Sequence, residues 1–224
     1  MNRALSFVKL DFITIKPYIT WKNLLILTAV AVIMTWGNSS SAAAVGFIMV
    51  FGAIYVSYPF AVGEKNGIDA LYVTLSIGRN TVVLGRYLFA LLCDLSAGAL
   101  AFVISLVLFT ALKQVFNVGE TLITVLAIFG VYSFIQAFQL PIFFKLGYAK
   151  AKFFTYLPFI GWPLAVFLLS SLFGKGQMLG ALSGVIAWLT GNPLAVVLIA
   201  AIVWLLAMII SYRLSIAFYK KRDF

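Results

Sequence analysis

Long apolar runs separated by short basic segments dominate the chain. The runs extend from Tyr18 to Gly37, Ala42 to Val62, Tyr87 to Leu112, Leu122 to Phe144, Phe153 to Phe173 and Pro193 to Tyr212. Each is close to the ~20 residues an α-helix needs to cross ~30 Å of hydrocarbon. The pattern predicts an all-α integral membrane protein of six transmembrane helices. Composition agrees. The chain is 64% hydrophobic and 10% charged, whereas soluble domains lie near ~45–50% and ~25%, so water does not suit this surface.

The charges orient the spans. Of the 16 Lys+Arg, all but Lys113 and Lys175 fall before or in the first turns of the first span, between the second and third, between the fourth and fifth, or after the sixth. The positive-inside rule then places both termini in the cytoplasm, as an even number of spans requires. Residues 3–16 read as a helix on the cytoplasmic interface. Leu5, Val8, Phe12 and Ile15 form its apolar stripe, with Lys9 and Lys16 beside it, and Pro17 ends it. The segment preceding the first span is too long and too apolar for the basic start of a secretory signal, although Ala42-Ala43-Ala44 mimics a cleavage site. On the outer side, Met178, Leu182, Val185, Ile186 and Leu189 recur at helical spacing. They predict a short helical element over 176–192 before the last span. The chain reads as one transmembrane domain over 1–224. Its parts are an interfacial helix at 1–17, cytoplasmic loops at 63–86 and 145–152, and an extracellular element at 174–192.

Several chemistries are excluded. With 0 His, neither a Ser-His-Asp system nor an H-E-x-x-H zinc site is available. The basic clusters alternate with apolar runs rather than forming a patch, so nucleic acid is not an expected partner. Gly174-Lys175 is followed by Gly176 and has Leu169 where a phosphate-binding loop needs Gly. No cofactor site is expected on this chain. Ser6 and Lys9 match S-x-x-K without the companion motifs. The single cysteine, Cys93, reads as a small buried apolar side chain.

Within the spans, Asp94 is the one carboxylate. It costs at least ~2.5 kcal/mol unless paired or wetted, and as a lone acid it points to a structural polar contact rather than a proton path. Gln136 and Gln139 share a face of the fourth span with Tyr132. That face either lines a substrate path or bonds to a neighbouring helix. Ala53, Ser57 and Ala61, and likewise Ala97, Ala101 and Ser105, stand four apart and suit close helix packing. Pro158, Gly161 and Pro163 predict a bend in the fifth span.

The loop after the second span runs Glu64-Lys65-Asn66-Gly67-Ile68-Asp69. It predicts a turn followed by a short helix over Ala70 to Leu75, with Asp69 at its N-terminal end, where the dipole favours a carboxylate. A short charged helix between two spans is a handle for a cytoplasmic partner. Here the sequence resembles the permeases of ABC-2-type exporters, especially the compact six-span bacterial subfamily that includes exporters of phenol-soluble modulins and bacteriocins. The likeness lies in Glu64 to Gly67 with Asp69, and in Leu75 to Leu88 (LSIGRNTVVLGRYL). The family typically reads L-P-I-S-R-K-E-I-V-L-x-K-Y-L there. It continues in Pro141-Ile142-Phe143-Phe144-Lys145-Leu146-Gly147-Tyr148 with Lys150-Ala151-Lys152. Ser76, Gly78 and Asn80-Thr81 depart from the pattern.

The resemblance implies a transport subunit of a bacterial cell membrane, not an enzyme itself. It implies a homo- or heterodimer in which each permease docks on an ABC ATPase subunit that holds the ATP and Mg. It assigns the ATPase contact to Glu64, Lys65, Asn66, Gly67, Asp69, Leu71, Leu75 and Arg79, with Lys145, Tyr148 and Lys150 from the second loop. It also implies amphipathic peptide or other hydrophobic cargo. Asp94, Tyr132, Gln136 and Gln139 stand as candidates for the cargo path or for helix contacts. The competing functions are an ATP-independent transporter or channel, and a membrane partner of an ATPase that does not itself transport.

Overall fold

The computed structural model describes residues 3–36, 42–74, 77–153, 171, 183–184 and 187–222. Seven named helices occur there: α1 (Arg3–Ile15), α2 (Trp21–Trp36), α3 (Ala42–Lys65), α4 (Ile68–Thr74), α5 (Arg79–Ala111), α6 (Val118–Leu146) and α7 (Pro193–Lys220). Residues 148–153 are also helical. No strand occurs among the described residues.

Four helices, α3, α5, α6 and α7, are long and apolar enough to cross a membrane. A fifth crossing arises if the bent pair Leu5–Tyr18 and Trp21–Thr35 counts as one span. The sequence predicts a first span from Tyr18, but α2 has only 16 residues, or ~24 Å of rise. Pro17 sits in a one-turn 3₁₀ segment, Lys16–Tyr18, and the chain bends there by 79°. The expected fifth span, Phe153 to Phe173, and most of the outer element at 176–192 lie outside the described residues.

Helices α3, α5, α6 and α7 exceed the apolar runs that predict them. The 33 residues of α5 rise ~50 Å, well beyond the hydrocarbon thickness. Arg79 to Arg86, expected in the loop, form the first two turns of α5. Asn117 caps α6, its side-chain oxygen accepting from the backbone N–H of Glu120 at 3.2 Å.

Helix α5 is the centre of the bundle and packs against α1, α3, α6 and α7. Its closest approach is to α3, where a Cβ built on Gly52 would lie 2.5 Å from the Cβ of Ala97. Small residues at that crossing let the backbones meet. Polar contacts hold α7, which buries only Ser211, Ser215 and Tyr219. The Tyr87 hydroxyl bonds the Ser211 and Ser215 hydroxyls at 2.5 and 2.8 Å, and Trp204 Nε1 donates to Ser133 at 2.8 Å. Apolar surface is nearly indifferent between lipid tails and protein, so directed bonds of this kind orient a helix.

Helix α1 turns only half of the expected apolar stripe, Val8 and Ile15, inward. Phe7, Val8, Asp11 and Ile15 are buried, whereas Leu5, Phe12, Leu10 and Ile13 are exposed. Asp11 decides this. It is 1% exposed and pairs with Arg86 of α5 at 3.2 Å. The Arg86 guanidinium also lies over the Phe60 ring of α3, 4.7 Å from its centroid. One ionic contact thus joins α1, α3 and α5.

Candidate functional site

The end of the bundle that carries α4 also gathers the C-terminal ends of α3, α6 and α7. Helix α3 closes with a turn in which the Asn66 N–H donates to the Val62 carbonyl at 3.1 Å. Gly67 takes φ +62°, a left-handed conformation that glycine adopts without a Cβ penalty. Helix α4 then starts, and the Leu71 N–H bonds back to the Gly67 carbonyl at 3.3 Å. After α4 the Ile77 N–H donates to the Tyr72 carbonyl at 3.0 Å.

Tyr72 anchors α4. It is 4% exposed, and its ring meets Phe7 of α1 edge-on at 4.8 Å. Leu71, next to it, is 53% exposed, so α4 turns Tyr72 onto α1 and presents Leu71 outward. Lys65, Asn66 and Gly67 are exposed at the turn. Asp69 lies in the first turn of α4, but its side chain is outside the described residues, as is Leu75.

The second loop meets the first directly. Gly147 ends α6 at φ +77°, and a new helix starts at residue 148. The Glu64 carboxylate accepts from the Ala149 N–H at 3.0 Å, which is where a helix N-terminus offers unsatisfied donors and a favourable dipole. A Cβ built on Gly147 would lie 2.9 Å from Glu64 Oε2 and from an Arg222 guanidinium nitrogen. Gly147 is therefore needed for both its conformation and its space. Tyr148 stacks on Phe143 at 6.1 Å, Lys145 Nζ lies 5.1 Å from the Phe218 ring centre, and Lys150 is exposed.

Arg79, at the start of α5, donates to the Tyr219 carbonyl at 3.1 Å and to that of Lys220. These are carbonyls of the last turn of α7, where a cation is the favourable partner. Tyr219 is 1% exposed and packs edge-on to Phe144 at 5.2 Å.

Deeper in the bundle, Gln136 Nε2 donates to Asp94 Oδ1 at 2.8 Å. Both residues are buried, so α5 and α6 are tied by a side-chain hydrogen bond away from water. Tyr132 donates to the Gly46 carbonyl at 3.4 Å, and Gln139 is buried. Asp94 also borders a cavity of about 350 Å³ whose walls include Phe102, Val125 and Phe129. Among the described residues, no three His, Cys, Asp or Glu side chains converge to hold a metal.

This set of contacts joins helix ends and loops. A family model described as ABC-2 family transporter protein matches residues 6–220. The chain belongs to the ABC-2 transporter family. No curated protein and no solved structure matches it. As an ABC-2 family member with several membrane-capable helices, it is a multi-pass membrane component of a transporter. Membership implies an ABC ATPase as partner in general terms.

Within this ABC-2 protein, the residues suggested by sequence gather into two places. Glu64, Lys65, Asn66, Gly67, Leu71, Arg79, Lys145, Tyr148 and Lys150 lie at the α4 end. Asp94, Tyr132 and Gln136 lie between α3, α5 and α6. Sequence reasoning missed Tyr72, Gly147, Asp11 and Tyr219. The signal for Asp11 is its place in line with Val8 and Ile15, one helical face with an acid in its middle. Tyr72 carries no such signal, because a seven-residue helix has too few positions to define a face.

Proposed function

We propose that this protein is the permease subunit of an ATP-driven exporter. Two copies, or one copy and a similar chain, form the path, and a separate ATPase supplies the energy. The observation that carries this reading is α4 itself. It is a discrete helix seated on α1 by the Tyr72–Phe7 contact, with Leu71 outward and the 145–152 loop bonded beside it through Glu64. A lever of this form suits an ATPase that docks from the cytoplasm. Closure of the ATPase moves α4, and α1 and α5 follow because Tyr72 and the Asp11–Arg86 pair hold them together.

In this reading the chain crosses the membrane six times, with both ends in the cytoplasm of a bacterial cell. The cargo is amphipathic peptide or another hydrophobic molecule, exported along aromatic and aliphatic surfaces. ATP and Mg bind the partner chain.

The test is a mild-detergent pull-down of the tagged chain from its native membrane, with mass spectrometry and an ATPase assay. A near-stoichiometric nucleotide-binding subunit with vanadate-sensitive activity supports the reading. Leu71→Glu should then lower cargo export or ATPase coupling without unfolding the chain. A chain that elutes with no ATPase overturns the assignment and favours an ATP-independent transporter.

A further inference from the structure

The bend between α1 and α2 borders a half-open groove of about 170 Å³ against α3 and α5. Its walls include Ile15, Leu24, Leu27, Ile48, Phe51 and Leu100. It is comparable in size to the ~150 Å³ apolar cavities that stay dry and take up hydrocarbon. From Thr20 to Leu27 it follows α2 for ~10 Å along the helix axis. A void of this kind forfeits the dispersion contacts of every atom that lines it. A lipid tail can fill it without any dehydration cost, since the tail is already out of water.

The cavity has a polar end. Thr20, Asn23 and Tyr55 contribute to its lining. Asn23 Nδ2 donates to the Tyr18 carbonyl at 2.9 Å, and the Tyr55 hydroxyl donates to the same carbonyl at 3.3 Å. These bonds hold the bend in shape beside the opening. Trp21 is 81% exposed and sits where an aromatic marks the headgroup level. Lys16 and Lys22 are both exposed on either side of the bend. The only acid nearby in sequence, Asp11, is turned inward to Arg86. The outer surface of the bend is therefore cationic and the space behind it is hydrocarbon-like.

We propose that this cavity binds one acyl chain of an anionic phospholipid whose headgroup rests between Lys16 and Lys22. The tail packs along α2 against Phe51 and Leu100, and the phosphate lies at the level of Trp21. The acyl chain gains little by leaving the bilayer, so selectivity rests on the headgroup. A lysine at an anionic membrane surface is worth about 1 kcal/mol, or about fivefold in occupancy for each lysine. The site stands apart from the ATPase-docking reading and does not depend on it.

The test uses the full-length protein in phosphatidylcholine vesicles containing either phosphatidylglycerol or phosphatidylcholine with a diazirine on one acyl chain. After photolysis, adducts are mapped by peptide mass spectrometry. The expected result is labelling concentrated on residues 12–27 and 48–55, at least about fivefold stronger for phosphatidylglycerol. Leu24→Trp, which fills the cavity, should abolish that labelling while leaving labels on α7 unchanged. Ser96→Phe does the same from the opposite wall, should the first variant elute as aggregate. Lys16→Gln with Lys22→Gln should retain the tail contact and erase the headgroup preference. Equal labelling of α2 and α7 would mean bulk lipid only and overturns the proposal. So does equal labelling by the two headgroups, or a cavity occupied instead by a cross-linked second chain.

Discussion

The buried contact between Asp11 and Arg86 is the sharpest test of how the interfacial helix is held. The two side chains are 1% and 4% exposed and 3.2 Å apart. Removing one partner leaves an uncompensated buried charge, which costs about 3–5 kcal/mol. Arg86→Met keeps the length and much of the packing against Phe60 while deleting the charge. For a chain of this size that cost corresponds to a melting point lower by roughly 6–20 °C. Asp11→Leu should do comparable harm, because Arg86 then lacks its carboxylate. The double variant, Asp11→Leu with Arg86→Met, puts an apolar pair in their place and should recover most of the loss. The assay is thermal unfolding of the three variants and the parent in the same detergent, followed by size-exclusion chromatography. If the two single losses simply add in the double variant to within about 0.5 kcal/mol, the residues are not energetically coupled. The account of α1 given above is then wrong.

Two further outcomes are expected. Gly52→Ala should destabilise the α3–α5 crossing by about 1–3 kcal/mol, since the new Cβ would lie 2.5 Å from that of Ala97; Ala97→Gly in the same chain should restore the melting point, and failure of that rescue would deny the close approach. Tyr87→Phe removes the hydroxyl shared by Ser211 and Ser215 and should cost about 0.6–2 kcal/mol, while adding Ser211→Ala and Ser215→Ala should change the melting point little further; a large additional loss would place the serines in other contacts.

The helices were legible because a membrane helix needs a continuous apolar run, and α3, α5, α6 and α7 each contain one. The turn at Asn66-Gly67 and the short helix after it were legible from glycine and the charged residues around it. Which side of a helix faces inward was much less so. In water, Leu5 and Phe12 would mark the buried face of α1, yet both are exposed while Asp11 is buried. In a membrane both sides accept apolar groups, so hydrophobic periodicity loses its power and polar residues become the better guide. Pairings between helices were also beyond reach. Spacing places Gln136 on a face of α6, but the fact that Asp94 of α5 receives its hydrogen bond depends on how two helices cross. The span boundary at Arg79 was missed because a helix continues past the hydrocarbon as long as its backbone bonds can be made, and hydropathy does not record that.

The bond from Ala149 to Glu64, with Gly147 leaving room for it, makes the two loops a single structural unit. A chimera that replaces the segment around α4 with one lacking a carboxylate at 64 would leave the Ala149 N–H without that acceptor. A later loop carrying any residue but glycine at 147 would bring a Cβ into the space that Glu64 and Arg222 already occupy. Under the proposed docking role, any retargeting of these loops would have to keep a carboxylate at 64 together with glycine at 147, since the donor at 149 is a backbone N–H that any residue but proline supplies.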